Sequence, residues 1–214
     1  MRGECASGGK GEEWMKKLIF NGIGCEDIIL HLAKILLLTG TESIIYDDDL
    51  NYSYAEVPVV RSLDLPDVDG MLFVNGTGGN LRGDVNILVT DLQPANARRF
   101  EKRKYTFGNG DYDLVIIRDM TGNDKNGEHI INLLKSRAKW VGVRENERDK
   151  SIRYCLQEGI RYRLRDLSRG MKKGLIEITE VLTGLSEKEC KKAFGKEKRW
   201  GGSLNSGRDR KMPM

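Results

Sequence analysis

The chain has 214 residues, of which 39% are hydrophobic and 32% are charged, and its net charge is +4. This length suits a single domain of ordinary size with a short tail, and this composition can fill one hydrophobic core. A membrane span is excluded, because the longest apolar run, residues 28–38, is interrupted by His31 and Lys34 and falls short of the ~20 residues that cross a bilayer. Residues 1–14 contain no hydrophobic stretch, so we expect no signal peptide.

The cysteines and histidines carry no pattern of a disulfide framework or a metal site. The absence of C-x-x-C spacing favours reduced thiols and a cytoplasmic protein. The cysteines are Cys5, Cys25, Cys155 and Cys190. His31 and His129 have no motif-like partner, so we expect both to be structural or exposed.

The two ends of the chain differ from its middle. Residues 1–14 lack periodicity, and residues 10–12 (Lys-Gly-Glu) can be encoded by a ribosome-binding sequence just upstream of Met15. We therefore expect translation to start at Met15 and predict one domain over residues 15–185. Residues 186–214 are predicted to form a flexible basic tail, a kind of segment that can also contact nucleic acid or an anionic membrane surface.

From residue 18 onward, short apolar strands alternate with helical segments. The predicted strands are residues 18–20, 43–46, 71–74, 85–90, 113–117 and 140–143, and the predicted helices are residues 26–38, 94–103, 126–136, 149–157 and 169–183. Gly40 occupies the C-cap position of the first helix. Continuous apolar strands are typical of sheets covered on both faces, and the helix between the first two strands implies parallel pairing. The sequence therefore predicts a doubly wound, three-layer α/β domain with a mostly parallel sheet and a ligand site at the carboxyl ends of its strands.

The loop after the first strand is the segment most indicative of function. It contains Phe20-Asn21-Gly22-Ile23-Gly24-Cys25-Glu26-Asp27, and the second strand ends in Asp47-Asp48-Asp49. In order and spacing these segments resemble the ParA/MinD-type P-loop ATPases, with a K-G-G-V-G-K-T-T loop and a second strand that ends in D-x-D. The resemblance extends from about residue 16 to residue 182. It implies a P-loop NTPase-like fold with a degenerate nucleotide site at Gly22, Ile23, Gly24, Cys25, Glu26, Asp27, Asp47, Asp49 and Asn75.

The residues that would contact phosphate and metal depart from the family pattern. Cys25 stands at the lysine position, and Glu26 and Asp27 stand at the two hydroxyl positions. Phe20 replaces an early signature lysine, and Asn75 stands where a metal-linked aspartate would be. One carboxylate about 5 Å from a phosphate charge costs about 3 kcal/mol at an effective dielectric constant of 20. We expect Glu26 and Asp27 instead to interact with the positive end of the helix and to occupy the anion site themselves.

These departures predict a degenerate ParA/MinD-like protein that does not hydrolyse ATP. We expect no catalytic residue, no metal site and no required cofactor, although the glycines are compatible with weak binding of ATP or ADP. By resemblance, such a protein would act as a bacterial localisation, assembly or regulatory factor. Its partner would be another protein or a second copy of the chain.

An alternative is a Rossmann-type domain that binds NAD or S-adenosylmethionine in an enzyme. Gly22 and Gly24 follow a strand, and Asp47 ends the next strand about twenty residues later, where a ribose hydroxyl would bind. Asp27 at the third glycine position weakens this interpretation.

Two further patterns leave their interpretation open. Asp47 and Asp49 share a face of the strand and are compatible either with a divalent cation or with a solvated strand end. The alternation of Arg161, Arg163 and Arg165 suits either a basic strand that faces nucleic acid or a solvated edge strand.

Overall fold

This computed structural model describes residues 15–47, 52, 56–61, 70–76, 83–106, 111–120, 125–157 and 162–203. These residues include seven strands and six α-helices. The strands are β1 (Lys16–Gly22), β2 (Ser43–Tyr46), β3 (Val59–Val60), β4 (Met71–Asn75), β5 (Val85–Thr90), β6 (Leu114–Ile117) and β7 (Lys139–Gly142). The helices are α1 (Cys25–Thr39), α2 (Pro94–Thr106), α3 (Lys125–Leu134), α4 (Glu147–Gln157), α5 (Arg169–Thr183) and α6 (Glu187–Ser203).

The strands form one sheet in the order β3-β2-β4-β1-β5-β6-β7, and all of the described pairs are parallel. The predicted doubly wound α/β fold is therefore confirmed, with a sheet that is parallel throughout its described strands. Strand β4 lies between β1 and β2, whereas the Rossmann order 3-2-1-4-5-6 puts the first two strands side by side. The strand order thus argues against the Rossmann alternative.

Apolar side chains cover both faces of the sheet. On one face Phe20 and Phe73 stack, with ring centroids 5.9 Å apart, in a cluster that includes residues of α1, α5 and α6. On the other face Val115 and Ile117 pack with residues of α2 and α3. Because successive strand residues point to opposite faces, a sheet covered on both sides needs apolar residues at consecutive positions. This is why β4 and β6 are continuous apolar runs.

Helix α1 is buried on nearly all sides, since it lies between the sheet and helices α5 and α6. All of its residues from Ile28 to Leu36 are buried. The helix ends at Gly40, which has a φ of 96° and whose N–H donates to the carbonyl oxygens of Leu36 and Leu37. The C-cap predicted at Gly40 is therefore confirmed.

Helix α6 corrects the expectation of a flexible tail that begins at residue 186. Cys190 and Ala193 are buried, and Phe194 packs against the core cluster beneath α1. Nζ of Lys196 donates to the carbonyl oxygen of Leu38 at 2.8 Å. The apolar stripe is short and lies among many lysines, which is why the sequence suggested a solvated segment. Residues 1–14 and 204–214 lie outside the described residues.

The open question at Arg163 and Arg165 is also answered. Arg163 precedes, and Arg165 lies within, a 3-10 helix over Leu164–Asp166, so these residues do not form a basic strand. Arg161 lies outside the described residues. Across the described ranges, no helix is both long enough and apolar enough to cross a membrane.

Candidate functional site

The loop after β1 has a backbone conformation that requires glycine at two positions. Gly22 has a φ of +124°, and a Cβ there would lie 1.9 Å from the carbonyl oxygen of Val89 in β5. Gly24 has a φ of +60°, and a Cβ there would lie 2.7 Å from Nη1 of Arg118. Between them, the N–H of Ile23 donates to Val89 at 2.9 Å. The glycines therefore allow the loop to lie close to the carboxyl end of the sheet.

The side chains that follow these glycines have different environments. Cys25 is buried, and burial followed by the charge of Glu26 raises the pKa of its thiol well above the usual range. Glu26 is exposed, and its Oε1 accepts a hydrogen bond from Nδ2 of Asn75 at 3.2 Å. Ile23 is 37% exposed, although it is a large apolar residue. Asp27 is only 5% exposed.

Asp27 is paired with Arg118, the residue that follows β6. Nη1 and Nη2 of Arg118 donate to the two carboxylate oxygens at 2.6 and 2.7 Å, and Nη1 also donates to the carbonyl oxygen of Gly24. A bidentate pair of this kind is stronger and more specific in geometry than a single hydrogen bond. It connects the first turn of α1 to the carboxyl end of β6. The sequence led us to expect Asp27 to occupy the anion site at the start of α1, whereas in the structure its carboxylate is bound inside the domain by Arg118.

Glu145 and Arg153 complete a cluster that we call the arginine network, which consists of Asp27, Arg118, Glu145 and Arg153. Nε of Arg118 donates to Oε1 of Glu145 at 2.6 Å, and the Glu145 side chain is fully buried. Arg153 contacts Glu145 and places its Nε 3.4 Å from Oδ2 of Asp27. The two arginines balance the two carboxylates. Such compensation is what makes buried charges tolerable.

The arginine network determines the ionisation of its members. Burial opposes ionisation of Asp27, but the adjacent guanidinium of Arg118 outweighs burial and holds the pKa of Asp27 below its usual range. Burial also opposes the charge of Arg118, yet the carboxylates of Asp27 and Glu145 raise its pKa above the ordinary value. Asp27 and Arg118 therefore both remain charged at neutral pH.

Asp47, which directly follows β2, contacts the backbone of Tyr52. Its Oδ2 accepts a hydrogen bond from the N–H of Tyr52 at 2.7 Å. The Tyr52 side chain is buried, and within the described part of the chain neither its hydroxyl nor Oδ1 of Asn75 has a hydrogen-bond partner. Burial, followed by the charge of Glu26, raises the pKa of the Tyr52 hydroxyl above its ordinary value. Asp49 lies outside the described residues, so a cation between Asp47 and Asp49 stays a prediction.

His31 lies one turn further along α1 than Asp27. It is 1% exposed, and its Nδ1 is hydrogen-bonded to the hydroxyl of Tyr162, whose ring lies edge-on with a centroid separation of 4.9 Å. Burial lowers the pKa of His31 to about 4. Nζ of Lys34 donates to Glu56 at 3.1 Å and to the carbonyl oxygen of Tyr162 at 3.2 Å. His31 is therefore a structural residue, as predicted.

The loop after β1 and Asn75 of β4 lie together at the carboxyl end of the sheet, where Asn75 contacts Glu26; that these residues form a nucleotide site stays a prediction. Sequence reasoning missed Arg118, Glu145 and Arg153. Arg118 does follow a predicted strand directly, and a charged residue at that end of a parallel strand is a recognisable signal. Nothing in the sequence, however, pairs it with Asp27, which lies 91 residues away.

Comparison with known proteins identifies the fold. No protein-family model and no curated protein matches the chain. The MinD cell division protein of Aquifex aeolicus matches with a TM-score of 0.54 and 14% identity, over 80% of this chain and 98% of that chain. A chain of the MinC:MinD cell division protein complex of Aquifex aeolicus matches with a TM-score of 0.54 and 13% identity, over 80% and 97%. The chain described here therefore has the three-layer α/β fold of the MinD-type P-loop proteins.

Proposed function

We propose that this protein is a degenerate ParA/MinD-like protein that does not hydrolyse ATP and that acts by binding a protein partner. The observation that carries the proposal is the bidentate pair between Asp27 and Arg118. In a P-loop protein the start of this helix contacts phosphate. Here the start of α1 instead makes a contact within the domain, through Asp27 and Arg118. The residues of the loop do not fit ATP–Mg²⁺, for reasons of both charge and chemistry.

The loop lacks an available cation and a hydroxyl at the positions where P-loops carry them. Cys25, at the lysine position, is a buried thiol whose raised pKa keeps it neutral. The nearby cation, Arg118, is already bound by Asp27 and Glu145. A P-loop requires a lysine at the β- and γ-phosphates and a hydroxyl at Mg²⁺.

The Glu26 carboxylate would repel a bound phosphate, and it has no cationic partner in the arginine network. Its carboxylate is exposed at the start of α1, and its contact with Asn75 is to a neutral amide. A phosphate charge about 5 Å from this carboxylate would be disfavoured by about 3 kcal/mol at an effective dielectric constant of 20, before screening by salt. That corresponds to about a hundredfold weaker binding.

A protein partner is favoured by two large apolar residues that are exposed, one of them in the loop. The large hydrophobic residues exposed among the described residues are Ile23 and Tyr154. Ile23 lies in the loop itself, and Tyr154 follows Arg153 of the arginine network. Aromatic and apolar residues are characteristic of the buried centres of interfaces. One of the similar solved structures is of a MinC:MinD complex, which supports a protein as the partner of this fold.

A phosphate-release assay with calorimetric titration of ATP–Mg²⁺ tests the loss of hydrolysis. We expect no turnover above the buffer blank and little heat from the native chain. A triple variant, Cys25→Lys with Glu26→Thr and Asp27→Thr, should gain ATP affinity, because it supplies a lysine and releases Arg118 from one carboxylate. Asp166→Thr, which removes a carboxylate from an exposed pair with Arg148, is the control and should bind no better than the native chain. Turnover by the native chain that Asp47→Ala abolishes would refute the proposal.

Sedimentation velocity over a concentration series tests whether the partner is a second copy of the chain. If it is, the native chain should form a dimer that Ile23→Asp abolishes, while His129→Asp, on the exposed surface of α3, leaves the dimer intact. A dimer that survives Ile23→Asp would show that the face around the loop is not the interface.

A further inference from the structure

A cavity of about 530 Å³ lies beside β7, at the opposite edge of the sheet from β3. Its volume is within the range of small-molecule sites, which is about 300–1,000 Å³. The cavity lies between the carboxyl end of β7 and the first turns of α5 and does not include residues of the loop after β1.

Glycines at the junction of β7 and α5 allow the segments that line the cavity to pack closely. A Cβ at Gly170 would lie 2.5 Å from the carbonyl oxygen of Arg144, so the start of α5 lies directly against the chain that follows β7. A Cβ at Gly142 would lie 3.0 Å from Cγ of Met120. Side chains at these positions would therefore clash with the walls of the cavity.

Trp140 and Met120 give the cavity an apolar wall. The Trp140 ring packs against α3 so closely that a Cβ at Gly127 would lie 2.6 Å from its Cζ3. Met120 is 4% exposed, and its N–H donates to the carbonyl oxygen of Val143 at 3.1 Å. A flat indole and an adaptable thioether form a suitable surface for a flat apolar group.

The charged side chains that line the cavity are mostly cationic. Arg144, Arg169 and Lys173 line it, against the single carboxylate of Glu177. Arg169 and Lys173 are exposed, and neither side chain forms a hydrogen bond or an ion pair with the residues that the structure describes. They are four residues apart on α5, a spacing at which like charges repel. An anion between them would relieve that repulsion.

The N-terminus of α5 adds to the positive electrostatic potential of the cavity. Ser168 caps the helix by accepting a hydrogen bond from the N–H of Met171, and the helix has no acidic residue in its first turn. Unpaired N–H groups and the helix dipole favour an anion at this end. Cationic side chains, helix terminus and apolar wall thus converge on one cavity.

We propose that this cavity binds a small ligand in which a phosphate monoester or carboxylate is attached to a flat apolar group. The anionic group lies between Arg169 and Lys173 at the start of α5, and the flat group lies against Trp140. The site does not include residues of the loop after β1, so the outcome of the ATP hydrolysis assay does not bear on it.

Calorimetric titration of the full chain with phenyl phosphate, benzoate and inorganic phosphate tests the proposal. The two aromatic probes distinguish a phosphate ligand from a carboxylate ligand, and inorganic phosphate tests the apolar wall. The site variant is Arg169→Ala with Lys173→Ala. The matched control is Lys188→Ala with Lys192→Ala, which removes the same charge from exposed positions four residues apart on α6. Thermal melts check that both variants fold.

We expect at least one aromatic probe to bind, with an affinity that the site variant lowers by about tenfold or more and that the control leaves within about twofold. The same probe should change the fluorescence of Trp140, and Trp140→Leu should remove that signal. Equal weakening in both variants, or binding of inorganic phosphate as tight as that of phenyl phosphate, would overturn the proposal. So would the absence of binding by all three probes.

Discussion

Replacement of Arg118 by methionine removes the central cation of the arginine network while it keeps a long apolar side chain in place. Arg118 makes its contacts with Asp27 at 2.6 and 2.7 Å and with Glu145 at 2.6 Å, and its side chain is 4% exposed. In the variant both carboxylates stay buried, with Arg153 as their remaining cation. Arg153 is 29% exposed and lies 3.4 Å from Asp27.

The expected loss of stability is large compared with that of a surface ion pair. Removal of one partner of a buried pair typically costs about 3–5 kcal/mol, because an uncompensated charge stays buried. The total stability of a domain is about 5–15 kcal/mol, so Arg118→Met should be strongly destabilised. Arg148→Met is the matched control, since Arg148 is 61% exposed and pairs with an exposed Asp166. That substitution should cost less than about 1 kcal/mol.

Urea unfolding of the native chain and both variants, extrapolated linearly to water, measures this difference. The pH dependence gives an independent check. In the native chain the lowered pKa of Asp27 contributes stability that is present above its unfolded value, about 3.9, and is lost as the pH falls. Without Arg118, burial dominates and raises that pKa, so protonation stabilises the variant. The difference in free energy of unfolding between the native chain and Arg118→Met should therefore decrease as the pH falls from about 6 to about 4. A loss for Arg118→Met no larger than that for Arg148→Met would refute the energetic role of the network.

Two further predictions concern single residues of the same region. Burial lowers the pKa of His31 from 6.5 to about 4. The neutral form of His31 therefore contributes stability that is present above pH 6.5 and is lost as the pH falls towards 4. At 1.36 kcal/mol per pKa unit, that contribution to the free energy of unfolding is about 3 kcal/mol. Unfolding of His31→Gln at several pH values should show a smaller slope in that window, and a slope as steep as that of the native chain would contradict the role of His31. Gly22→Ala should cost about 3 kcal/mol or more in urea unfolding, because its Cβ would overlap the carbonyl oxygen of Val89 and its φ is +124°. Gly195→Ala, on an exposed turn of α6 with open space around it, should instead be neutral or stabilising by up to about 1 kcal/mol, and a similar loss for both would contradict the steric argument.

Local pattern was sufficient to predict the α/β fold. Buried positions could be recognised from the continuous apolar runs of β4 and β6 and from the apolar sequence of α1 up to Gly40. Strands that are buried on both faces indicate a parallel sheet between two layers of helices. The loop that contains Gly22 and Gly24 was also recognisable, because glycine is needed where the backbone has a positive φ or lies against another strand. These features depend on neighbours in sequence or on the period of a single element.

Only the tertiary structure decided how the charges of the loop are used. The sequence identified Asp27 only as a carboxylate at the start of a helix. In the fold it is bound by Arg118, 91 residues away, because β6 and β1 end at the same carboxyl end of the sheet. The position of α6 depends in the same way on Ala193 and Phe194 packing against a core formed by other elements. The cavity beside β7 depends on how closely α5 approaches that strand. Sequence pattern determines which side chains are buried, but which charges meet depends on strand order and helix packing, which bring together residues that are distant in the chain.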